Sequence, residues 1–172
     1  HLYETVVRQL TLKLRFAGLA RLDPLTGLSN RLVLNENLER MLAQAYRNNL
    51  GLAVHSLDLN HFKAANDSFG HPVGDLLLRE VARRLSQLTR ASDLLVRLGG
   101  DEFILVQTDV STREHALALA SRILTDVSAP YRIDGHDIVL GTSVGIALLP
   151  SEQLTPDDLL ARADQALYQA KR

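Results

Sequence analysis

The chain contains no cysteine, so neither a disulfide framework nor a thiolate metal site can form. It also has no excess of charge, since 19 Lys and Arg residues stand against 20 Asp and Glu residues. A near-neutral chain lacks the general basic surface of a nucleic-acid-binding protein. No apolar run approaches the roughly 20 residues that span a bilayer, and no signal peptide is recognisable. These absences predict a soluble cytoplasmic domain with no nucleic-acid partner and no direct membrane contact.

The composition does supply enough apolar sequence for a core. Apolar residues make up 46% of the 172 residues and charged residues 23%, which excludes wholesale disorder. This length suits one domain with room for a short appendage. The chain starts at His1 without a methionine and stops at Arg172 in helical sequence. We therefore expect it to belong to a longer multidomain protein, which can itself be membrane-anchored.

The apolar pattern predicts helices that alternate with strands. Helices are predicted over 3–20, 31–48, 72–89, 113–127 and from Thr155 onward, where Asp158 completes a capping box. Strands are predicted over 51–59, 94–98, 103–107, 130–134 and 137–148. Alternating helices and strands with two hairpins indicate the α/β (α+β) class. We expect a mixed, five-stranded central sheet with helices on both faces.

The first predicted helix differs from the rest of the chain. Its apolar residues alternate spacings of four and three, as in a coiled-coil seam: Tyr3, Val7, Leu10, Leu14 and Ala17. DPLTGLSN, 23–30, then breaks the helix with a proline and a glycine. We therefore predict an N-terminal linker helix over 1–22, which is a possible dimerisation segment, and a domain over 23–172.

Two adjacent acids lie at the tip of a predicted hairpin, in the stretch RLGGDEF, 97–103. A solvated turn explains Asp101 and Glu102 as well as a functional site does. The strand that ends in Asp58 favours the second interpretation, because a carboxylate there can lie beside the hairpin. Clustered carboxylates repel one another unless a cation neutralises them, and Mg²⁺ prefers such oxygen ligands.

Four motifs in this order resemble a GGDEF domain, the family of diguanylate cyclases. They are DPLTGLSNR (23–31), LDLNHFKAANDSFGHPVGD (57–75), RLGGDEF and ADQALYQAK (163–171). The resemblance implies a palm-like nucleotide cyclase fold. It also implies that two GTP molecules are joined into cyclic di-GMP across a homodimer, with release of two pyrophosphates and with Mg²⁺ or Mn²⁺ as cofactor.

The resemblance also assigns roles to residues. It implies metal ligation by Asp58, Asp101 and the backbone carbonyl of Leu59. It implies that Glu102 is a further metal ligand or the group that assists deprotonation of the 3′-hydroxyl. It implies catalytic roles for Asp101, Glu102 and Lys63. It implies GTP contacts at His61, Phe62, Lys63, Asn66, Asp75, Gly99, Gly100 and Lys171, with guanine read by Asn66 and Asp75. Outside this motif, the structural interpretations would be favoured, with Asn66 as a helix C-terminal residue and Asp75 as an acid in a helix first turn.

Two further features follow from the family pattern. Arg90 and Asp93 match an RxxD site that binds the product cyclic di-GMP and inhibits the enzyme, although such a pair is also a common local ion pair. Asp23 and Asn30 are interpreted as helix caps in a structural turn. The chain departs from the family at Asn60, where a second acid is frequent, and after Lys171, where an arginine is usual.

The sequence leaves one alternative function open. The domain could be a catalytically weak module that binds GTP or cyclic di-GMP and regulates a neighbouring domain, such as an EAL phosphodiesterase. The acids of the GGDEF motif are intact here, and this favours the cyclase.

Overall fold

The structure is a computed structural model that describes residues 1–16 and 20–172 in full and residues 17–19 by their backbone alone. The helices are α1 (Leu2–Leu19), α2 (Arg31–Arg47), α3 (Phe62–Phe69), α4 (His71–Leu88), α5 (Arg113–Ser128) and α6 (Pro156–Ala170). The strands are β1 (Leu52–Asn60), β2 (Leu94–Gly99), β3 (Glu102–Thr108), β4 (Tyr131–Ile133), β5 (His136–Ile138) and β6 (Gly141–Leu148). The mixed α/β class is as predicted.

The central sheet has four strands, in the order β2-β3-β1-β6, and all its pairs are antiparallel. The prediction of five strands was wrong, because β4 and β5 form a separate two-stranded sheet. The predicted strand 137–148 is divided between β5 and β6. Leu140 lies in the gap and is buried beside Tyr131 and Ile138, so the small hairpin packs on the helical layer instead of joining the sheet.

Helices cover both faces of the sheet, as expected from its unbroken apolar strands. Phe103 and Leu105 of β3 point to one face, where they pack with side chains of α4 and α5. Ile104 and Val106 of the same strand point to the other face, where they pack with α2 and α6. A central strand that is buried on both sides needs no polar alternation.

Helix α1 is apolar but exposed. Eight large apolar side chains between Leu2 and Phe16 are each 43–82% exposed, and among them are the predicted seam residues Tyr3, Val7, Leu10 and Leu14. The seam residue Ala17 lies outside the fully described residues. Over the described ranges, the structure holds no helix with the length and apolar character to cross a membrane.

One of the two predicted caps is correct. The side chain of Asn30 accepts a hydrogen bond from the N–H of Val33 and so caps α2. Asp23 does not cap a helix, which corrects that prediction. It accepts hydrogen bonds from the N–H and the hydroxyl of Thr26, because the segment after α1 folds as a tight turn. Thr155 and Asp158 form the predicted capping box.

Candidate active site

The GGDEF turn joins β2 to β3. Gly99 and Gly100 have φ values of 144° and 51°, in a region that favours glycine over residues with a side chain. The register shifts between Arg97 and Gly99, so a bulge precedes the turn. These features direct Asp101 back towards the end of β1, where the N–H of Leu59 donates to the Asp101 carbonyl at 3.3 Å.

The turn brings together carboxylates from two strands. Asp58 is paired with Glu102 in the ladder between β1 and β3. Burial, the charge of Asp58 and a hydrogen bond between the two carboxyl groups raise the pKa of Asp101 above its usual value. The exposed Glu102 adds a further, smaller contribution in the same direction. This corner of the sheet therefore favours a bound cation.

The structure places a lysine against the same carboxylates. Lys171, at the C-terminal end of α6, extends its amino group to Oδ2 of Asp58. That hydrogen bond, with the charges of Asp58, Asp101 and Glu102, raises the pKa of Lys171. The resemblance predicts that Lys171 contacts terminal phosphates. The structure places its amino group beside Asp58, one of the predicted metal ligands.

The donor set fits a hard divalent cation. Asp58 and Asp101 supply adjacent carboxylates, and Leu59 supplies a backbone carbonyl at the same strand end. Within the part of the chain that the structure describes, no cluster of three or more His, Asp or Glu side chains could hold a metal by itself. Mg²⁺ is nevertheless commonly held by one or two carboxylates, with waters and substrate phosphates completing its shell.

Helix α3 begins directly after this corner. His61 precedes it with a left-handed φ of 64° and makes no side-chain cap. Phe62 is buried and anchors the helix, whereas Lys63 is exposed. The unpaired N–H groups of a helix first turn attract anions. The N–H groups of His61, Phe62 and Lys63 therefore lie at a helix end that could accept an anion beside the acidic corner.

The two predicted guanine-reading residues lie on consecutive helices. Asn66 is on α3 and Asp75 is on α4, and Gly70, with φ of 89°, makes the bend between the helices. The first turn of α4 contains no acidic residue, so Asp75 is not explained as a first-turn acid. Its side chain is exposed and Asn66 is half-buried, which leaves both accessible to a ligand.

Sequence reasoning missed the side chain that holds the turn. Arg97 donates to both carboxylate oxygens of Asp23 at 2.9 and 3.0 Å and to the carbonyl of Gly100 at 2.7 and 3.1 Å. Burial acts to raise the pKa of Asp23, but hydrogen bonds from Thr26 and Arg97 outweigh it and lower that pKa. Asp23 and Arg97 both lie in the quoted motifs, yet their 74-residue separation hides the contact.

Sequence reasoning also missed how α6 is seated. A Cβ on Gly145 would stand 2.1 Å from the backbone nitrogen of Leu167 and 2.5 Å from the carbonyl oxygen of Ala163. The buried Ser56 donates to Asp164 at 3.2 Å. These contacts hold α6 on β1 and β6 and thereby direct Lys171 to Asp58. No local motif signals them, because they join distant segments.

Arg90 and Asp93 lie at the other end of β2. Oδ2 of Asp93 accepts from the backbone N–H of Arg90 at 2.9 Å, and Oδ1 accepts from that of Thr108 at 3.0 Å. The Arg90 guanidinium contacts Asp93 and the Thr108 carbonyl. The Asp93 side chain is only 1% exposed, whereas that of Arg90 is 49% exposed. Asp93 therefore stabilises the backbone at this end of β2 and β3 through its hydrogen bonds, whereas Arg90 faces solvent.

A cavity of about 410 Å³ adjoins this pair. Its wall includes Arg40, Met41, Gln44, Ser92, Asp93 and Thr108. It lies at the opposite end of β2 from the GGDEF turn. The cavity and the acidic corner are therefore separate sites.

Comparison with known proteins gives consistent matches. The family model for the diguanylate cyclase GGDEF domain matches residues 20–172. The bifunctional diguanylate cyclase/cyclic di-GMP phosphodiesterase MucR of Pseudomonas aeruginosa is 45% identical over 155 residues, which are 89% of this chain and 22% of that protein. The diguanylate cyclase TpbB of the same species is 40% identical over 87% of this chain and 35% of that protein. A crystal structure of a sensory box/GGDEF family protein from Caulobacter crescentus superimposes with a TM-score of 0.83 and 43% identity, covering 88% of this chain and 98% of that one. The chain thus spans about a fifth to a third of these curated relatives.

Proposed function

Since the chain belongs to the GGDEF domain family of diguanylate cyclases, we propose that it condenses two GTP molecules into cyclic di-GMP and two pyrophosphates. The observation that carries the proposal is the meeting of two strand ends at an intact GGDEF turn, where Asp58 pairs with Glu102 and the N–H of Leu59 donates to the Asp101 carbonyl. Each domain offers one such corner, whereas the product needs two nucleotides. Two copies of the domain must therefore face each other during turnover.

Each half-reaction forms one phosphodiester bond. The 3′-hydroxyl of one GTP attacks the α-phosphorus of the other, the bond to the β-phosphate oxygen breaks, and pyrophosphate leaves. A divalent cation held by Asp58, Asp101 and the Leu59 carbonyl, with waters and substrate phosphates completing its shell, would lower the pKa of that hydroxyl and neutralise phosphate charge. Glu102, which is exposed beside the turn, would act as a further metal ligand or as the group that assists removal of the hydroxyl proton.

The phosphates are bound by cations and backbone N–H groups. The start of α3, with Lys63, offers donors on one side of the acidic corner, and Lys171 offers its ammonium group on the other. The glycines of the turn let the nucleotide approach the backbone closely. These groups orient the α-phosphate in line with the attacking hydroxyl, which is the main contribution that a protein makes to phosphoryl transfer.

Guanine is selected by hydrogen-bond pattern. Its N1–H and N2–H₂ groups are donors and its O6 is an acceptor. Asp75 accepts from the donors, and the amide of Asn66 serves either kind of partner. Adenine would place an acceptor against the Asp75 carboxylate and leave it without a hydrogen bond.

Arg90 supplies a product-binding group away from the catalytic corner. A planar guanidinium binds a phosphate or the Hoogsteen edge of guanine, and Asp93 holds this one half-exposed beside the cavity. Arg90→Ala should reduce the fractional inhibition that added cyclic di-GMP produces, measured as the ratio of initial rates with and without product. Arg132→Ala, at an exposed surface pair, is the control. If the wild type, Arg90→Ala and Arg132→Ala were inhibited equally by cyclic di-GMP, Arg90 would have a structural role only.

A regulatory binding module is the second candidate. It is favoured by the bifunctional relative, in which a cyclase and a phosphodiesterase share one protein. Such a module would bind GTP or cyclic di-GMP without turnover and act on a neighbouring domain. Product analysis after incubation with GTP and Mg²⁺ separates the two candidates.

The central test is Asp101→Asn. We expect cyclic di-GMP formation to fall below detection in chromatography of the products, because a neutral amide cannot neutralise a cation. The fold should survive, since the substitution removes repulsion with Asp58. Asp137→Asn, on the exposed β5, should turn over normally. Wild-type activity in Asp101→Asn would contradict the proposed site, and an inactive wild type that still binds GTP would favour the regulatory module.

A further inference from the structure

The backbone conformation at position 74 does not require a glycine. Gly74 is buried within α4 and has an ordinary helical φ, unlike Gly70, whose φ of 89° favours glycine at the bend. Glycine inside a helix is less favourable than alanine, because it loses more backbone freedom on folding. Glycine at position 74 therefore lowers the stability of α4, and the neighbouring side chains must explain why it is there.

The space that a side chain would fill at position 74 is occupied by Asn66. A Cβ built on Gly74 would stand 1.7 Å from Oδ1 of Asn66 and 2.8 Å from its Cγ. The third nearest atom, at 3.5 Å, is Nδ2 of the same amide. The missing side chain therefore makes room for this one amide group rather than for the backbone of another element.

The amide of Asn66 is positioned by packing alone. It is half-buried, and within the described residues no side-chain hydrogen bond of Asn66 to the protein is found. Its hydrogen-bonding groups are thus not paired with another group of the described residues. Because Gly74 directly precedes Asp75, an amide that lies on Gly74 also lies close to the start of the Asp75 side chain.

We propose that Gly74 is a specificity-determining positioning residue, which holds the Asn66 amide against α4 so that Asn66 and Asp75 read guanine together. This inference rests on the proposed function. A methyl group at position 74 would force the Asn66 side chain to rotate away. The amide is the free end of a flexible side chain, so the fold tolerates that movement, but guanine loses a partner.

The test is Gly74→Ala, with nucleotide binding followed by calorimetry in the presence of Mg²⁺. The ligands are the α,β-methylene analogues of GTP and ATP, which cannot release pyrophosphate. We expect the melting temperature to stay level or rise and the affinity for the GTP analogue to fall about three- to tenfold, as for the loss of one hydrogen bond. The affinity for the ATP analogue should not change. Ser86→Ala, which also improves helix propensity in α4, should leave both affinities unchanged.

A double-mutant cycle shows whether Gly74 acts through Asn66. In an Asn66→Ala background, Gly74→Ala should have no further effect on affinity. The inference would be overturned if Gly74→Ala lowered the affinity further in the Asn66→Ala background. It would also be overturned if Gly74→Ala alone left the affinity unchanged or greatly lowered the stability. If the wild-type chain does not bind the GTP analogue, the proposed function fails, and that outcome is distinct from the others.

Discussion

Arg97 shows how much of the GGDEF turn depends on one side chain. Its guanidinium bridges the Asp23 carboxylate and the Gly100 carbonyl, and both charged side chains are nearly buried, at 11% and 13% exposure. A lysine has one compact ammonium group and cannot make this planar, two-sided contact. Arg97 therefore links the position of Asp101, one residue beyond Gly100, to Asp23 in the segment that follows α1.

The buried His55 makes the free energy of unfolding depend on pH. It is fully buried in β1, where Nε2 lies 2.9 Å from Oε1 of Gln107 and Nδ1 has no partner in the described structure. Burial lowers the pKa of His55 below 6.5, although Gln107 and the charge of Asp93 act in the opposite direction. Below that pH the unfolded chain binds more protons than the folded protein does. The free energy of unfolding should therefore fall as the pH drops from 6.5 towards the pKa of the folded state.

The measurement is urea unfolding at about pH 7.5 and about pH 5.5. We expect His55→Leu to show a smaller loss of stability between the two pH values than the wild type does. His55→Leu with Gln107→Leu is the control for the partner that the single change leaves unpaired. Identical pH dependence in wild type and variant would show that His55 does not contribute.

Residues within one motif could be predicted from the sequence, whereas their supporting contacts could not. Asp58 and Asp101 are recognisable because strand ends and glycine turns have local signatures. Ser56 and Asp164 are 108 residues apart and have ordinary surroundings in the sequence. Their hydrogen bond depends on how α6 crosses the sheet, which no short pattern reports.

At the scale of elements, α6 depends on Gly145 for its close approach to the sheet. An added methyl group there would meet the helix backbone at Leu167 and Ala163, which cannot rotate away. We expect Gly145→Ala to lower the free energy of unfolding by about 1–3 kcal/mol, as overpacking does. Nucleotide binding should also weaken, because Lys171 moves with α6.

Urea unfolding and calorimetry measure these two effects. Gly74→Ala is the matched control for the unfolding measurement alone, since its methyl group meets only a movable side chain. Ser86→Ala is the control for nucleotide binding. Unchanged stability in Gly145→Ala would show that α6 can shift without cost.

Most elements could be predicted, because their periodicity is strong. The sheet was predicted with one strand too many, because residues 137–148 were interpreted as one strand, which would bring its hairpin partner 130–134 into the central sheet. Instead β4 and β5 pair apart from it. The break at Leu140 comes from tertiary packing, where its side chain enters the core beside Ile138. A sequence pattern cannot distinguish a residue that pairs in a sheet from one that is buried between two sheets.

At the scale of the whole molecule, α1 offers a way to bring two domains together. Its exposed apolar residues have coiled-coil spacing, and a tether raises the local concentration of the second site. Deletion of residues 1–20 should lower activity per chain at low protein concentration and should matter less at high concentration. Specific activity over a dilution series measures this.

The control for the deletion keeps the helix and changes its surface. Val7→Glu with Leu14→Glu introduces charge into the seam, and we expect it to behave like the deletion. If both variants follow the wild type at every dilution, α1 has no part in assembly.

The segment between α1 and α2 also covers an edge of the sheet. Ser29 pairs with Val96 and accepts from the N–H of Arg97 at 3.0 Å, along the outer side of β2. An uncovered edge strand recruits strands from other molecules and so leads to aggregation. With this stretch of β2 occupied, a second copy cannot extend the sheet there. Self-association through this stretch of β2 is therefore disfavoured even when two copies are held close together.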